Sequence, residues 1–507
     1  MIEPTPYNLG AAFPRGGERD APALIDLGDA AGPRTWTFGA LDAAIDALAR
    51  GLTARGLAVG DRVAIVSANR AEYLVSFLGI MRAGLVAVPT NFKLPPETLH
   101  HVLRDSDSRL VLCDGPRAAL CPDDIPQACF GTPAFDALLD RGAFEPVRPA
   151  AGAPAMFLYT SGSTGRPKGV VLSHESHIWA LLARRRRPIA GQHRTLVAAP
   201  LYHMNGLCTC HATFWQHDTV VLLPGFTAAS YLAAIETHRC TTLTSVPTMI
   251  AMVLRERAVL ARTDVSSARF LRMGSAPVTQ ALLDGARAAF PNVEVGIVYG
   301  TTEAGPIVFG PHPQGTALPN LAAGYPAPSV DVRLVAGNDR DADEGELHMR
   351  CPALMTGYHK LPEATRKVMT DDGYYASGDV FRRDKAGFYF FVGRVDDMFV
   401  CSGENIYPGE VETMLERHPA IDQACVVPVP DDVRGQMPVA FVVRAPHASL
   451  TEDEVKRFAL AHAPPYQHPR RVWFVDELPL AGTNKIDRNH LMARAASVAP
   501  DNRGTTA

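Results

Sequence analysis

The sequence predicts an α/β protein with a large N-terminal domain of doubly wound αβ units and a small α+β domain after it. Three observations support this fold class. Helical and strand patterns alternate over residues 36–104 and 194–300, short strands and turns fill residues 329–394, and a separate helix and strand set begins near residue 400. Strands that alternate with helices are typical of mostly parallel sheets. A chain of 507 residues also exceeds what one hydrophobic core usually supports.

The individual elements follow from the spacing of apolar residues. Residues 41–55 repeat apolar side chains at helical spacing, and residues 73–83 form a second predicted helix that ends at Gly84. Buried strands are predicted at 63–66, 86–89, 196–198, 219–223, 243–246 and 294–298. The turn-rich residues 329–394 predict an antiparallel, barrel-like piece at the end of the large domain. The two domains are therefore predicted at residues 1–396 and 397–507.

Composition and charge exclude several classes of protein. The formal net charge is −4 and the sequence pI is about 6.5, so nothing draws the chain toward nucleic acid. The nine cysteines show neither a disulfide framework nor zinc-ligand spacing, which indicates free thiols in a reducing compartment. Neither a signal peptide nor a membrane span is expected, and the predicted location is the cytoplasm.

The most informative segment is the loop at residues 160–168, where hydroxyl groups, glycines and one lysine stand between two strand-like runs. Glycines let backbone N–H groups approach an anion closely, and hydroxyl groups and a cation add further donors. The pattern therefore predicts a turn between two strands that binds a polyphosphate. It is not a Walker A loop, because Pro167 precedes Lys168, Gly169 follows it, and the chain then enters a strand. A flexible surface loop is the alternative interpretation.

Three further polar turns follow predicted strands, at residues 200–206, 274–277 and 299–305. Ligands of open α/β sheets bind beyond the carboxyl ends of the strands. We therefore expect these turns and the phosphate loop to surround one cleft.

Together with residues 375–379, 393–397, 402–408 and 484–486, these motifs resemble the adenylate-forming (AMP-binding) superfamily, in the family's order and over residues 36–490. The likeness is closest to its acyl-CoA synthetase branch, in particular to bacterial small-acid and benzoate-type CoA ligases. It implies an enzyme that uses ATP, Mg²⁺ and coenzyme A. A carboxylate attacks the α-phosphate of ATP, pyrophosphate leaves, and the thiol of CoA then displaces AMP to give a thioester.

The resemblance also implies which residues bind the nucleotide. The loop should hold the β- and γ-phosphates, Tyr299 and the turn at 274–276 should sandwich the adenine, and Asp379 should accept both ribose hydroxyls. The ATP/AMP-binding residues implied are Thr160, Ser161, Gly162, Ser163, Thr164, Gly165, Lys168, Gly274, Ser275, Ala276, Tyr299, Gly300, Thr301, Thr302, Asp379, Arg394 and Lys485. Ordinary surface side chains are the alternative for Asp379 and Arg394.

Four residues are expected to act in catalysis by the same resemblance. Lys485 should stabilise the charge that builds on the bridging oxygens, although the family usually has Gly where this chain has Asn484. Thr302 should contact the α-phosphate, and Glu303 should bind Mg²⁺ through its carboxylate. His203 should stand beside the acyl site, and a plain packed histidine is its alternative.

In the family the small C-terminal domain is mobile and acts twice. It rotates after the adenylate forms, which here implies a hinge at Asp397, the departure of Lys485 and the arrival of a loop that lines the CoA tunnel. The tunnel residues implied are Ser402, Gly403, Glu404, Tyr466 and His468. The family often has Lys where this chain has Gln467, so the segment departs from the pattern there.

The acyl pocket implied by the resemblance contains two polar side chains, Asn205 and Thr244, where aryl-acid enzymes tend to be apolar. They predict a small acid that is hydroxylated or branched, with a substituted benzoate as the next candidate and long-chain and α-amino acids disfavoured. The pocket residues implied are His203, Met204, Asn205, Thr244, Val246, Ser275, Val298, Gly300, Gly305 and Pro306.

Other readings of the chain are an adenylating enzyme that loads a carrier protein, a silent nucleotide-binding protein, and a P-loop hydrolase. The last two are disfavoured by the complete set of motif residues and by the loop sequence. A homodimer is the commonest oligomer, and a lysine acetyltransferase that acts on Lys485 is a further predicted partner.

Overall fold

The computed structural model describes residues 6–29, 31–160, 166–184, 193–401, 404–431, 435–481 and 486–498. Within these ranges no helix combines the length and apolar character needed to cross a membrane. All nine cysteines are free thiols.

The first third of the chain alternates strands and helices. After a 3-10 turn at Leu9–Ala11, its elements are β1 (Pro22–Asp26), β2 (Arg34–Thr37), α1 (Phe38–Ala54), β3 (Arg62–Val66), α2 (Ala71–Arg82), β4 (Val86–Pro89), α3 (Pro96–Asp105), β5 (Ser108–Cys113), α4 (Gly115–Ala118), β6 (Gln127–Cys129), α5 (Pro133–Asp136), β7 (Pro154–Thr160) and β8 (Lys168–Ser173).

The alternation continues to residue 298. The elements are α6 (His174–Ala183), β9 (Arg194–Val197), α7 (Met204–Trp215), β10 (Thr219–Leu222), α8 (Ala228–His238), β11 (Thr242–Ser245), α9 (Pro247–Arg255), α10 (Arg257–Leu260), β12 (Phe270–Gly274), α11 (Gln280–Ala289) and β13 (Glu294–Val298).

Short strands then dominate: β14 (Phe309–Gly310), β15 (Ala322–Pro326), β16 (Asp331–Val335), β17 (Glu344–Arg350), β18 (Gly357–Tyr358), α12 (Pro362–Val368), β19 (Tyr375–Arg383) and β20 (Tyr389–Arg394). The last part of the chain contains β21 (Phe399–Cys401), β22 (Glu404–Ile406), α13 (Pro408–Leu415), β23 (Ile421–Asp431), β24 (Gly435–Arg444), α14 (Glu452–His462), β25 (Arg471–Val475) and α15 (Arg488–Val498).

Among the described residues these strands form four sheets. The first has the order β18-β8-β7-β4-β3-β5-β6, and the second has the order β13-β12-β11-β9-β10-β1-β2. Both are parallel over most of their strands, with antiparallel pairs at β7–β8, β8–β18 and β1–β2. The third sheet, β14-β15-β20-β19-β17-β16, is antiparallel. The fourth contains β21 to β25 and belongs to the small domain.

This architecture confirms the predicted fold class: a large N-terminal domain with parallel sheets and a small α+β C-terminal domain. The helix predicted at 41–55 is α1, and its apolar positions are buried where it packs on α2. The predicted strands are β3, β4, β9, β10, β11 and β13, and the prediction of burial was wrong for β13, an edge strand whose residues are half-buried or exposed. Apolar runs could identify the other five because each of them buries most of its residues.

The two faces of the second sheet have different surroundings, and this difference positions the site. Leu243, Leu271 and Met273 point to one face and pack against helices α8, α9 and α11. Alternate residues of the same strands point to the opposite face, because side chains along a strand alternate. That opposite face borders the cavity described next.

Candidate active site

A large cavity lies at the carboxyl ends of the second-sheet strands, between the β7–β8 hairpin, the third sheet and the small domain. The three polar turns predicted from the sequence all reach it, as expected for strand-end turns. Of the predicted site residues, those that line the cavity are Thr160, Lys168, His203, Met204, Asn205, Thr244, Val246, Ser275, Ala276, Val298, Tyr299, Gly300, Thr301, Thr302, Glu303, Pro306, Asp379, Arg394 and Asp397.

The predicted phosphate loop joins two antiparallel strands, so the predicted strand-turn-strand is confirmed. Thr160 pairs with Lys168 at the end of the hairpin. The Lys168 Nζ atom lies 4.6 Å from the centroid of the Tyr358 ring, within the range of a cation–π contact. Ser161, Gly162, Ser163, Thr164 and Gly165 lie outside the described residues.

The turn after β13 is closed by its own backbone and side chains. The Thr301 hydroxyl accepts the Ala304 N–H at 2.9 Å, and the Thr301 N–H donates to Gly305 O at 3.2 Å. A Cβ on Gly300 would stand 2.6 Å from Gly305 O, and Gly305 itself has φ +82° with Ala353 packed behind it. This compact turn directs Thr302 and Glu303 into the cavity.

Glu303 is held by a residue that the sequence motifs did not single out. Its Oε1 accepts the Tyr358 hydroxyl at 2.9 Å, and its backbone oxygen accepts the Met355 N–H at 2.7 Å. Burial, and then the Glu303 charge, raise the pKa of Tyr358, so its hydroxyl stays a donor. Lys168, Tyr358 and Glu303 therefore form one cluster beside the phosphate loop.

A second cluster forms where β19 and β20 pair. Asp379, only 6% exposed, lies opposite Arg394 in the register. Its Oδ2 accepts the Tyr299 hydroxyl at 2.5 Å, and its Oδ1 lies 3.4 Å from Arg394 Nη1. Burial, followed by the Asp379 charge, raises the pKa of Tyr299 well above its ordinary value. The structure thus brings together a carboxylate, a guanidinium and an aromatic ring that come from distant parts of the sequence.

The turn after β12 packs closely against the end of β13. A Cβ on Gly274 would stand 2.5 Å from the Val298 side chain, so this position has no room for one. Ser275 follows with φ +68°, a left-handed backbone conformation that is uncommon for a residue other than glycine. Such strain is often found at ligand sites.

The acyl side of the cavity is formed by the start of α7 and by the second sheet. His203 occupies the N-cap position of α7, and its ring lies 4.7 Å from that of Tyr202. Met204 and Asn205 begin the helix and are half-buried. The Thr244 hydroxyl donates to Leu196 O at 2.8 Å, so it holds the sheet together and retains only acceptor capacity toward a ligand.

The segment around Lys485 belongs to the small domain. Lys485 itself lies outside the described residues. Its neighbours Ala481, Ile486 and Asp487 line the cavity. Asp397 is exposed on the turn that follows β20. Ser402 and Gly403 also lie outside the described residues, and the remaining predicted tunnel residues Glu404, Tyr466 and His468 do not line the cavity.

Tyr358 and Arg272 are two of the cavity residues that the sequence interpretation did not identify. Tyr358 contacts Glu303 across 55 positions of sequence, and no spacing signal marks such a pair. Arg272 lies in β12 and lines the cavity. A charged residue inside an otherwise apolar strand is a signal that could have drawn attention to it.

Comparison with known proteins agrees with this geometry. Residues 14–359 match the family model described as AMP-binding enzyme, and residues 410–485 match the AMP-binding enzyme C-terminal domain. The chain is 34% identical to a feruloyl-CoA synthase of Amycolatopsis sp over 472 residues, which span 90% of this chain and 94% of the relative. It is 32% identical to the fatty acid–[acyl-carrier-protein] ligase ScoC of Streptomyces coeruleorubidus over 501 residues, or 94% of each chain.

The fold of a solved structure agrees as well. ATP-bound MatB from Rhodopseudomonas palustris superimposes with a TM-score of 0.87 at 28% identity, over 97% of this chain and 99% of that chain. The family model alone spans more than half of the sequence, and Glu303 with Tyr358 lies within the matched residues. The chain therefore belongs to the family of AMP-binding enzymes, in its branch of AMP-forming acid–CoA ligases.

Proposed function

We propose that this protein activates a small, polar carboxylic acid with ATP and transfers the acyl group to coenzyme A. The observation that carries the proposal is the convergence of the Asp379 cluster, the Glu303 cluster and the phosphate loop on one cavity. The family branch supplies ATP and CoA as co-substrates. The acid and the role of each side chain are our proposals.

In this proposal ATP lies across the carboxyl ends of the second-sheet strands. Asp379 accepts the ribose hydroxyls, and the Tyr299 ring and the close backbone at Gly274 enclose the adenine. Thr302 contacts the α-phosphate, and Lys168 with its loop holds the β- and γ-phosphates. The carboxylate of the acid is already a nucleophile, so the site orients it and stabilises charge rather than removing a proton.

We expect Asp379→Asn to raise the KM for ATP about 10- to 100-fold, because a hydrogen bond to a charged acceptor contributes about 1.5–3 kcal/mol. Tyr299→Phe is the matched control: it keeps the ring beside the adenine and removes only the hydroxyl that donates to Asp379. It should change the KM less. Initial rates at varied ATP measure both, and an unchanged KM in Asp379→Asn would contradict the assigned role.

Glu303 is the proposed protein ligand of Mg²⁺. The described residues contain no group of three His, Cys, Asp or Glu side chains that could hold a metal alone. A single carboxylate fits this observation, since Mg²⁺ is often held by one or two carboxylates together with substrate phosphates. When bound, the ion would neutralise phosphate charge. Tyr358 keeps the Glu303 carboxylate directed into the cavity.

We expect Glu303→Gln to raise the Mg²⁺ concentration needed for half-maximal activity by about tenfold or more, since a neutral amide binds a hard cation weakly. Tyr358→Phe removes the hydrogen bond to Glu303 and keeps the Glu303 carboxylate. The Mg²⁺ concentration that this variant needs for half-maximal activity should therefore rise less than in Glu303→Gln. Pyrophosphate release in a Mg²⁺ titration distinguishes the two variants. Equal requirements in the wild type and Glu303→Gln would exclude Glu303 as the ligand.

The observed arrangement supports the first half-reaction. The neighbours of Lys485 line the cavity, whereas Glu404, Tyr466 and His468 do not. We propose that the domains meet at 396/397, that Asp397 is the hinge, and that rotation about it replaces Lys485 with the loop at 402–404 for thioester formation. Such domain movements often limit turnover.

The acid is proposed to be small and hydroxylated or branched, with an aryl acid next. The half-buried Asn205 supports a polar substrate. The Thr244 hydroxyl already donates its hydrogen to Leu196 O, so it can only accept a hydrogen bond from a substrate. The similarity to a feruloyl-CoA synthase is the reason to test aryl acids as well. The similarity to ScoC supports a second candidate function, the transfer of the acyl group to a carrier protein.

The test is pyrophosphate release from ATP and Mg²⁺ across acids of graded size and polarity, with CoA, with holo-carrier protein, and with neither. Acid-dependent pyrophosphate, followed by AMP and a CoA thioester, is the expected result. A thioester only on the carrier would favour the second candidate. Orthophosphate without acid would overturn both.

A further inference from the structure

One wall of the cavity is made by alternate residues of three neighbouring strands. The register places Thr242, Phe270 and Glu294 in one row and Thr244, Arg272 and Gly296 in the next. All of these except Gly296 line the cavity. We call this set of six residues the pocket floor.

Arg272 points into the cavity because of its position in β12. Leu271 and Met273, on either side of it, are fully buried among helices on the opposite face of the sheet. Alternation along the strand therefore directs the half-buried Arg272 side chain to the pocket floor. A guanidinium has five N–H donors, so it can bind a ligand oxygen in addition to any contact within the protein.

Space is available beside this arginine. Gly296 pairs with Arg272 in the register, and no atom lies within 4 Å of the position a Cβ would take there. Val298, two positions further along β13, is 42% exposed toward the same cavity. The pocket floor therefore has an open volume next to a positive charge, continuous with the acyl side of the site.

The remaining pocket floor does not suit an alkyl chain. Thr242, Thr244 and Glu294 are polar, and Asp218 and His193 line the cavity further along the sheet. An alkyl chain laid over the half-buried Arg272 guanidinium or the exposed Glu294 carboxylate would remove a charge from water, which is costly. A substrate whose far end is anionic would instead bring acceptors to the Arg272 guanidinium.

We propose that Arg272 determines acid specificity and that the preferred acid carries a second anionic group, a carboxylate or a sulfonate, at the end remote from the carboxyl that is activated. Arginine matches such groups with two parallel hydrogen bonds. Arg272 lies two residues before Gly274, which is proposed to border the nucleotide, and two residues of strand span about 6.6 Å. The activated carboxyl and the second anionic group of the acid should therefore be separated by several bonds. This inference rests on the proposed function, whose acid pocket it defines further.

The experiment compares acids that differ only at the far end: hexanedioate with hexanoate, and 4-sulfobutanoate with pentanoate. We expect the wild type to show a kcat/KM for pyrophosphate release about tenfold or more higher for each doubly anionic acid. Arg272→Met should lower kcat/KM for these acids about 10- to 100-fold and leave the monoacids unchanged or improved. Arg272→Lys keeps the positive charge but cannot donate two parallel hydrogen bonds. Its kcat/KM for the doubly anionic acids should therefore lie between those of the wild type and Arg272→Met.

Arg287→Met, on the exposed face of α11, is the matched control and should behave as the wild type. Equal loss for both acid types in Arg272→Met, or a wild-type preference for the monoacids, would overturn the inference while leaving the ligase function intact. No pyrophosphate with any acid would overturn both. A preference for one end group over the other identifies the anion and supports the inference.

Discussion

Lys485→Ala is expected to lower acid-dependent pyrophosphate release about 100- to 1000-fold, the usual effect of removing one preorganised group that stabilises charge in a transition state. Residues on both sides of this lysine line the cavity that holds the Glu303 and Asp379 clusters. The proposed ammonium would stand against the bridging oxygens as the carboxylate attacks. Lys485→Arg keeps the charge with a bulkier head group and should recover only part of the rate.

The second half-reaction separates a catalytic role from a folding defect. When a chemically prepared acyl-adenylate is supplied with CoA, Lys485→Ala should form thioester at the wild-type rate, because the proposed rotation has moved residue 485 away. Lys385→Ala, an exposed lysine on the turn between β19 and β20, should leave both half-reactions unchanged. Equal loss of both half-reactions in Lys485→Ala would contradict the assignment.

Acetylation of the same lysine should reproduce this pattern, because it removes the positive charge without altering the backbone. Treatment with a lysine acetyltransferase, followed by the two half-reaction assays, tests whether this predicted partner modifies Lys485. Retention of pyrophosphate release after complete acetylation of the peptide around residue 485 would exclude regulation at this position.

Local patterns were sufficient to predict much of this molecule. The phosphate loop lies between two apolar runs, and the structure joins β7 and β8 there as a hairpin. The turns after β12 and β13 follow two parallel strands, so their position at the cavity follows from the carboxyl ends of such strands meeting at one edge of the sheet. Each of these features depends on neighbours within a few residues.

Features that depend on distant partners could not be predicted in this way. The hydrogen bond between Tyr358 and Glu303 and the contact of Thr244 with Leu196 O exist only after the sheets assemble. Thr244 illustrates the consequence: the sequence presented its hydroxyl as a group for the substrate, and the fold uses it between strands. The left-handed backbone of Ser275 is also invisible in the sequence, because a Gly-Ser-Ala-Pro turn can place that conformation at more than one residue.

The pair Glu412–Arg488 is the other distant contact with a large expected effect. Arg488 begins α15, three residues after Lys485. Its Nη1 and Nη2 donate to the two carboxylate oxygens of Glu412 at 2.6 and 2.7 Å, and Nη1 also donates to Val426 O at 3.0 Å. Glu412 is 8% exposed and accepts the Val426 N–H at 2.7 Å. We infer that this pair anchors the segment that carries Lys485 to α13 and β23.

Arg488→Met is therefore expected to destabilise the C-terminal domain by about 3–5 kcal/mol, because it leaves the Glu412 carboxylate buried without its cation. Hydrogen exchange of β23 and β24 in the full chain measures this loss. The kcat for pyrophosphate release should fall with it while the KM for ATP stays unchanged, since the Asp379 cluster lies outside the small domain.

The double variant Glu412→Leu/Arg488→Met distinguishes anchoring from simple stability. Replacing both ions with apolar side chains is often neutral or stabilising, so protection from exchange should return. The rate should stay low, because the bidentate contact that fixes the start of α15 relative to α13 is still missing. Recovery of both protection and kcat would mean that the pair contributes stability alone. A low rate with restored protection would instead show that the position of the Lys485 segment, and not merely the folding of its domain, depends on these two residues.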